Sequence, residues 1–319
     1  MAYDRNVPYN ELPILPPPED KIIDTEILQK WGIARAAIAK LDGITNTLND
    51  PQIMVNTIAL QEAKESSKIE NIVTTTDALY EAMTLLATEK KSEAAKEVLR
   101  NRESLMEGIS LVSSTGHLDK DIVVRLFQII KESTAGIRTD LQEVYLKRGG
   151  SDERAGQRVY TPPLGNALLN EKFDNLIEYL NDDEQYKHDA LIKMAVAHYQ
   201  FEAIHPFIDG NGRVGRVSNV LYLVTKGILK YPVAYFSRYI SHHKEDYQYL
   251  VMLGESKWGL ACNALAGTET LTSDRIRWRE TAGKRPWLSG MVKEKMCALI
   301  HVEAMIAMLN AGLDIKGIE

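Results

Sequence analysis

The residues best suited to chemistry lie in one run, His205-Pro206-Phe207-Ile208-Asp209-Gly210-Asn211-Gly212-Arg213-Val214-Gly215-Arg216. His205 is the group there that can take a proton near neutral pH. Gly210 and Gly212 permit positive φ and close backbone approach. A loop of this kind feeding a helix N-terminus turns free N–H groups outward, which suits a phosphate. Arg213 and Arg216, three apart in the first turn, can converge on the same anion. Asp209 is acidic among phosphate binders and makes sense as a Mg2+ ligand, with phosphate oxygens completing the shell. A base, a metal ligand, an anion loop and two arginines suit attack of a hydroxyl on a nucleotide phosphate. Singly, each piece is ordinary: His-Pro ends helices, Gly-Asn-Gly makes turns, and arginines cover solvated faces. Their order within twelve residues carries the reading.

The elements that must hold this run are helical. His205 follows an apolar helical stretch over 187–204, which Pro206 ends. A second apolar helix runs from Gly212 to about Thr225. Upstream, residues 1–20 read as an extended arm rich in proline. Apolar residues from Ile22 to Leu41 fall at three- and four-residue steps and predict a helix from near Asp20 to Asp42-Gly43. Asp50-Pro51 is an N-cap followed by proline at the first helical position. Further helices are predicted from Thr76-Asp77 through Leu86, over 92–112, over 119–132 and over 168–180. Between 136 and 163 the runs Val144-Tyr145-Leu146 and Arg158-Val159-Tyr160 flank the turn-rich Gly149-Gly150-Ser151-Asp152 and predict a hairpin. Residues 241–253 read as helical, and a last amphipathic helix is expected over 289–309. The expected class is mainly α with one hairpin.

The run at 205–216 resembles the signature of the Fic family of nucleotidyltransferases, His-Pro-Phe-x-[Asp/Glu]-Gly-Asn-Gly-Arg-x-x-Arg, at every fixed position. The hairpin at 136–163, ending in Tyr160-Thr161-Pro162-Pro163, looks like the family's flap. Residues 13–80 resemble the N-terminal helical region of longer members, and 232–250 the segment after the core. The resemblance implies a Fic-like helical core and a protein adenylyltransferase. It implies His205 as the base that deprotonates a Tyr, Thr or Ser hydroxyl of a target protein, and ATP as AMP donor. Asp209 would hold Mg2+, Gly210, Asn211 and Gly212 would form the anion hole, and Arg213 and Arg216 would contact the triphosphate. The flap would pair with an extended target segment.

Ser66-Ser67-Lys68-Ile69-Glu70-Asn71 matches the family's inhibitory motif, [Ser/Thr]-x-x-x-Glu-[Gly/Asn]. Ser66 and Glu70, four apart, share one face of a helix. The resemblance implies that Glu70 reaches Arg216 and takes the place of the γ-phosphate, as in the class whose inhibitory helix precedes the core. The implied organisation is an N-terminal inhibitory region over 1–90, a Fic core over 91–255 and a tail over 256–319 that matches no pattern. Alternatives on the same scaffold are transfer of another phosphate-containing group, removal of AMP, or a non-catalytic nucleotide-binding regulator. The intact Gly210-Asn211-Gly212 favours AMP transfer, and His205 speaks against a dead member. The resemblance also leaves room for a homo-oligomer.

Composition bounds the partners. The chain of 319 residues carries 38 Lys and Arg against 44 Asp and Glu, a formal charge of −6. That balance argues against a coat for nucleic acid, and no nucleic-acid partner is predicted. The hydrophobic share of 45% is enough for a core. Two cysteines, Cys262 and Cys297, cannot build a disulfide framework or an all-cysteine zinc site. No apolar run approaches the length of a membrane span, and residues 1–5 lack the look of a secretory signal, so a cytoplasmic location is expected. There is no Walker A sequence. His198 reads as a core or supporting residue, His242-His243 lacks partners for a metal site, and the basic stretch 275–285 reads as solvated surface.

Overall fold

A computed structural model describes residues 4–84, 92–147, 158–243, 249–252, 259–262, 276–278, 288–292 and 297–300. The chain divides into two compact units, with the boundary at His242/His243. The larger unit is helical: α1 (Thr25–Asn46), α2 (Pro51–Ile69), α3 (Thr76–Thr84), α4 (Glu93–Thr115), α5 (Lys120–Lys131), a hairpin of β1 (Leu146–Lys147) and β2 (Arg158–Tyr160), then α6 (Asn166–Asn181), α7 (Ala190–Ile204), α8 (Asn211–Thr225) and α9 (Phe236–His242).

Capping sets most of the boundaries. Asp24, Asp50, Ser92, Asp119 and Asp189 each accept a first-turn N–H through the side chain, opening α1, α2, α4, α5 and α7. The first cap explains why α1 begins at Thr25 and not near Asp20, where a short 3-10 turn, Glu19–Lys21, stands instead. The expected stop at Asp42-Gly43 does not occur. A helical glycine costs only ~1 kcal/mol, and the turn across it is held by Thr45 Oγ1 donating to Leu41 O and Asn46 Nδ2 donating to Asp42.

The core is built on α8. Val214, Val217, Val220, Leu221 and Leu223 are buried along it and pack with Leu105 and Val112 of α4, Leu126 and Ile130 of α5, Phe173 of α6 and Phe201 of α7. A smaller cluster of Leu60, Ala63, Leu79, Ala82, Ala95 and Val98 joins α2, α3 and the start of α4. Residues 4–18 belong to the larger unit and are non-helical as expected, but turns at 5–6 and 10–11, with Val7 N donating to Asp4 O and Leu12 N to Tyr9 O, replace a fully extended arm. Tyr9 N donates to Thr161 O, Lys172 Nζ to Leu12 O, Gln200 Nε2 to Pro13 O, and Asn175 both gives and takes a bond with Leu15. The hairpin is antiparallel, with Leu146 opposite Tyr160. Its turn cluster at 149–152 lies outside the described residues.

Beyond His243 the reading of helices fails. β3 (Tyr249–Met252) pairs with β4 (Gly259–Cys262), and β5 (Ile276–Trp278), β6 (Leu288–Val292) and β7 (Cys297–Ile300) form an antiparallel three-stranded sheet. The expected helix over 241–253 stops at His242 and gives way to β3, and that over 289–309 is replaced by β6 and β7 where it is described. Short apolar runs fit helix and strand periods equally, and Gly290 inside the run already weakened a helix. Residues 301–309, Tyr247 and most of the basic stretch 275–285 lie outside the described residues.

Candidate active site

The site sits where α7 hands over to α8. α7 ends at Ile204 because His205 adopts the left-handed conformation, φ 51°, directly before Pro206. The loop is pinned from inside. Phe207 is fully buried, stacked on Phe127 of α5 with centroids 4.3 Å apart and edge-on to Phe201. Asn211 closes it: its Oδ1 accepts from Phe207 N at 3.0 Å and its Nδ2 donates to Phe207 O at 2.8 Å. The Asn211 side chain therefore braces the loop with one of its two Nδ2 hydrogens and its Oδ1, leaving its second Nδ2 hydrogen and its backbone N–H for a ligand. Gly210 starts α8 with φ 81° and offers no side-chain cap, so the first-turn amides keep their hydrogen-bonding capacity.

His205 is positioned to act as a base. Its Nδ1 donates to Glu202 O at 3.3 Å. A carbonyl only accepts, so Nδ1 carries the proton and Nε2 is bare. Burial pushes the imidazole pKa down to about 4, with Glu202 O opposing and Arg138 assisting. The ring is neutral at pH 7.

Arg138, on the loop after α5, is the buried brace of the whole assembly. It is 1% exposed and donates to His205 O at 2.8 Å, Ile204 O at 3.2 Å, Gln142 O at 3.3 Å and Pro163 O at 2.6 Å. Its own N–H donates to Pro206 O. It thus ties the 205–210 loop to the base of the hairpin, and Tyr160 Oη adds a bond to Ala203 O at 3.0 Å. Nothing in the sequence pattern singled Arg138 out.

Each charge of the loop meets a partner. Asp209 Oδ2 accepts from Lys131 Nζ at 2.6 Å and Oδ1 from Gly210 N at 2.6 Å. Burial alone would raise this carboxyl, but Lys131 and Gly210 outweigh it and hold it below the usual range. Arg213 Nη1 donates to Glu97 of α4 at 2.7 Å. Arg216 is 6% exposed and triply held: Nε donates to Ser66 Oγ at 2.9 Å, and Nη2 to Ser66 O at 3.0 Å and to Glu70 Oε1 at 2.7 Å. The contact of Glu70 with Arg216 that the resemblance implied is thus present in the geometry, and Ser66, expected only to share Glu70's face of the helix, also holds Arg216.

The local backbone explains how Glu70 reaches Arg216. Glu70 is the C-cap of α2, and Asn71 follows with φ 64°. Asn71 N bonds Lys68 O and Ile72 N bonds Ser67 O, a Schellman termination that needs a residue tolerant of positive φ at position 71. Glu70 Oε1 lies 2.5 Å from where a Cβ on Gly212 would stand, and Arg216 Nη1 lies 2.9 Å from it. Only glycine lets the carboxylate approach α8 this closely.

Behind Arg216, Glu202 and His198 press on α8 at Gly215, Glu202 Oε1 2.9 Å and His198 Nδ1 3.1 Å from the Cβ position. Burial raises Glu202 to about 7, with Arg216 opposing, and lowers His198 to about 4. His198 is half-buried on α7, supporting α8 from behind with its Nδ1 unpartnered. His242 Nδ1 contacts Arg238 O and Ser241 Oγ. Among the described residues no three His, Cys, Asp or Glu side chains converge into a metal cage. A lone carboxylate at Asp209 beside an anion loop fits a hard cation that takes its remaining ligands from phosphate and water.

Residues 28–110 match the family model described as Fic/DOC family N-terminal, and residues 118–223 that described as Fic/DOC family. Together they span more than half of the chain. The chain belongs to the Fic/DOC family. Among curated relatives, a protein adenylyltransferase Fic of Drosophila mojavensis is 24% identical over 229 residues, 69% of this chain and 43% of that protein. A probable protein adenylyltransferase of Aquifex aeolicus is 44% identical over 57 residues, 18% of each chain. The chain thus spans less than half the length of either relative. A Fic family protein from Desulfovibrio desulfuricans G20 shares the fold, with TM-score 0.51 and 20% identity over 67% of this chain and 63% of that one. The mainly helical architecture is that of Fic proteins.

Proposed function

We propose that this Fic protein transfers AMP from ATP to a Tyr, Thr or Ser hydroxyl of a protein, and that Glu70 restrains the reaction. The observation that carries the reading is a neutral His205 with a bare Nε2 at the mouth of a glycine-started, arginine-lined helix. The names of the relatives support it.

In this reading His205 Nε2 takes the proton of the acceptor hydroxyl. The oxygen attacks the α-phosphorus, the bond to the bridging α,β-oxygen breaks, and pyrophosphate leaves. His205 then returns its proton to solvent. Backbone N–H groups of Asn211 and Gly212 receive phosphate oxygens, that of Gly210 joins them on leaving Asp209 Oδ1, Arg213 engages the triphosphate, and Arg216 its γ end. Asp209 would hold Mg2+ after exchanging Lys131 for it. When bound, that ion neutralises phosphate charge and eases departure of pyrophosphate. The strand β2 supplies backbone groups for an extended target segment, which holds the hydroxyl in line. With Glu70 on Arg216 the γ end has no seat, and ATP that enters is misaligned for attack. A cytoplasmic location belongs to the same reading, and the small number of cysteines, two in 319 residues, supports it.

The test is transfer of label by the Glu70→Gly variant from ATP labelled at the α- or the γ-phosphate. The reading expects protein-bound label from α-ATP alone. Label retained from γ-ATP would identify phosphate transfer and overturn it.

A further inference from the structure

Three ion pairs lie on the catalytic loop: Arg216 with Glu70 and Arg213 with Glu97, both at 2.7 Å, and Lys131 with Asp209 at 2.6 Å. The reaction outlined above uses every one of these residues except Glu97. Glu97 lies near the start of α4, 116 positions from the arginine it meets. The Arg213 side chain is 2% exposed and that of Glu97 27%, so the contact is shielded on one side only. Arg213 spans from Glu97 to the anion loop, where its Nη2 lies 3.8 Å from the Cβ position of Gly210. Its Nε is buried with no hydrogen-bond partner.

An arginine settled into a permanent bridge satisfies its buried donors. Arg213 leaves one open while a carboxylate occupies another, so its guanidinium keeps capacity for a further acceptor. The two carboxylates also share a mounting. α2, which ends in Glu70, and the first turns of α4, which bear Glu97, pack on the same small cluster of Leu60, Ala63, Ala95 and Val98. With all three pairs formed, the three cations and three carboxylates of the loop cancel. A polyanionic triphosphate gains little from such a site until carboxylates leave it.

We propose that Glu97 is a second inhibitory carboxylate, competing with the triphosphate for Arg213 as Glu70 competes for Arg216. The proposal rests on the triphosphate reading of α8. Release of Glu70 alone then leaves the nucleotide site half blocked.

Calorimetric titration of ATP and of adenosine into Glu70→Gly and Glu70→Gly/Glu97→Gln proteins tests it. Glutamine keeps the shape of Glu97 and removes its charge. The expected result is ATP affinity raised about fivefold to tenfold by Glu97→Gln, adenosine affinity unchanged, and no gain when Arg213 is also Gln. Unchanged or weaker ATP binding on Glu97→Gln overturns the proposal, as does an equal gain for adenosine or a gain that survives loss of Arg213. If Glu70→Gly protein binds ATP, these results bear on Glu97 alone. If it binds none, the triphosphate reading itself fails and Glu97 has nothing to compete with.

Discussion

His205 shows how a single residue is tuned by its neighbours. Its Nδ1 proton is fixed on Glu202 O, and burial keeps the ring neutral with a pKa of about 4. A group poised this way remains a base well below the usual histidine range. Protonation of the base would remove activity, and the ring takes up its proton only as pH falls toward 4. The expected kcat/KM profile of the Glu70→Gly enzyme is therefore flat from pH 7 to about 5 and falls near 4. A fall centred near 6.5 would contradict it. His205→Asn, chosen because asparagine tolerates the left-handed backbone here, is expected to lower transfer by about 10²–10⁴-fold. The residues from His205 to Arg216 were legible in the sequence because the loop is contiguous and its glycines, base and cations have few other joint uses. Asn211 was legible only as a member of the loop, and its bracing bonds to Phe207 were not. Glu97, Lys131 and Arg138 were invisible, because only tertiary packing brings α4 and α5 to the loop.

At the scale of elements, α2 is wedged so that Glu70 arrives at α8 in register. Glu62, buried in α2, accepts from both N and Oγ of Ser237 on α9, and Glu65 accepts from Ser241. Burial raises the Glu62 carboxyl, with Ser237 opposing. The hairpin is tied to the loop mainly through Arg138. Removing that side chain strands several buried carbonyls at once. Arg138→Ala is expected to destabilise the fold by about 2–4 kcal/mol, read as a lower urea midpoint, and a change within about 0.5 kcal/mol would show that the brace is dispensable. The helix order was legible from capping residues and apolar spacing, above all at Asp50-Pro51 and Asp119. The strands after His243 were not, since runs of three to five residues carry no decisive period.

For the whole molecule, the net −6 proved a poor guide to the site. The loop is locally balanced, each of its three cations being paired with a carboxylate. Buried ionisable groups around α7 also set how stability responds to pH. His198 and His205 titrate in the unfolded chain near 6.5 but in the fold at about 4, so they withdraw stability as pH drops through that window. Glu202 works the other way. Its folded pKa of about 7 lies above the unfolded value, so it contributes stability at low pH that is lost as pH rises toward 7. Glu202→Gln removes that compensation, and the variant is expected to lose more stability than the parent between pH 7 and 5, measured by urea unfolding. An equal loss in both would place Glu202 outside the balance. The central claim, a base-driven AMP transfer held in check by Glu70, is tested most directly by the intact mass of wild-type and Glu70→Gly protein after incubation with ATP and Mg2+. An added AMP group is expected on the variant, with little on the wild type. Equal modification of the two proteins, or none on either, would contradict it.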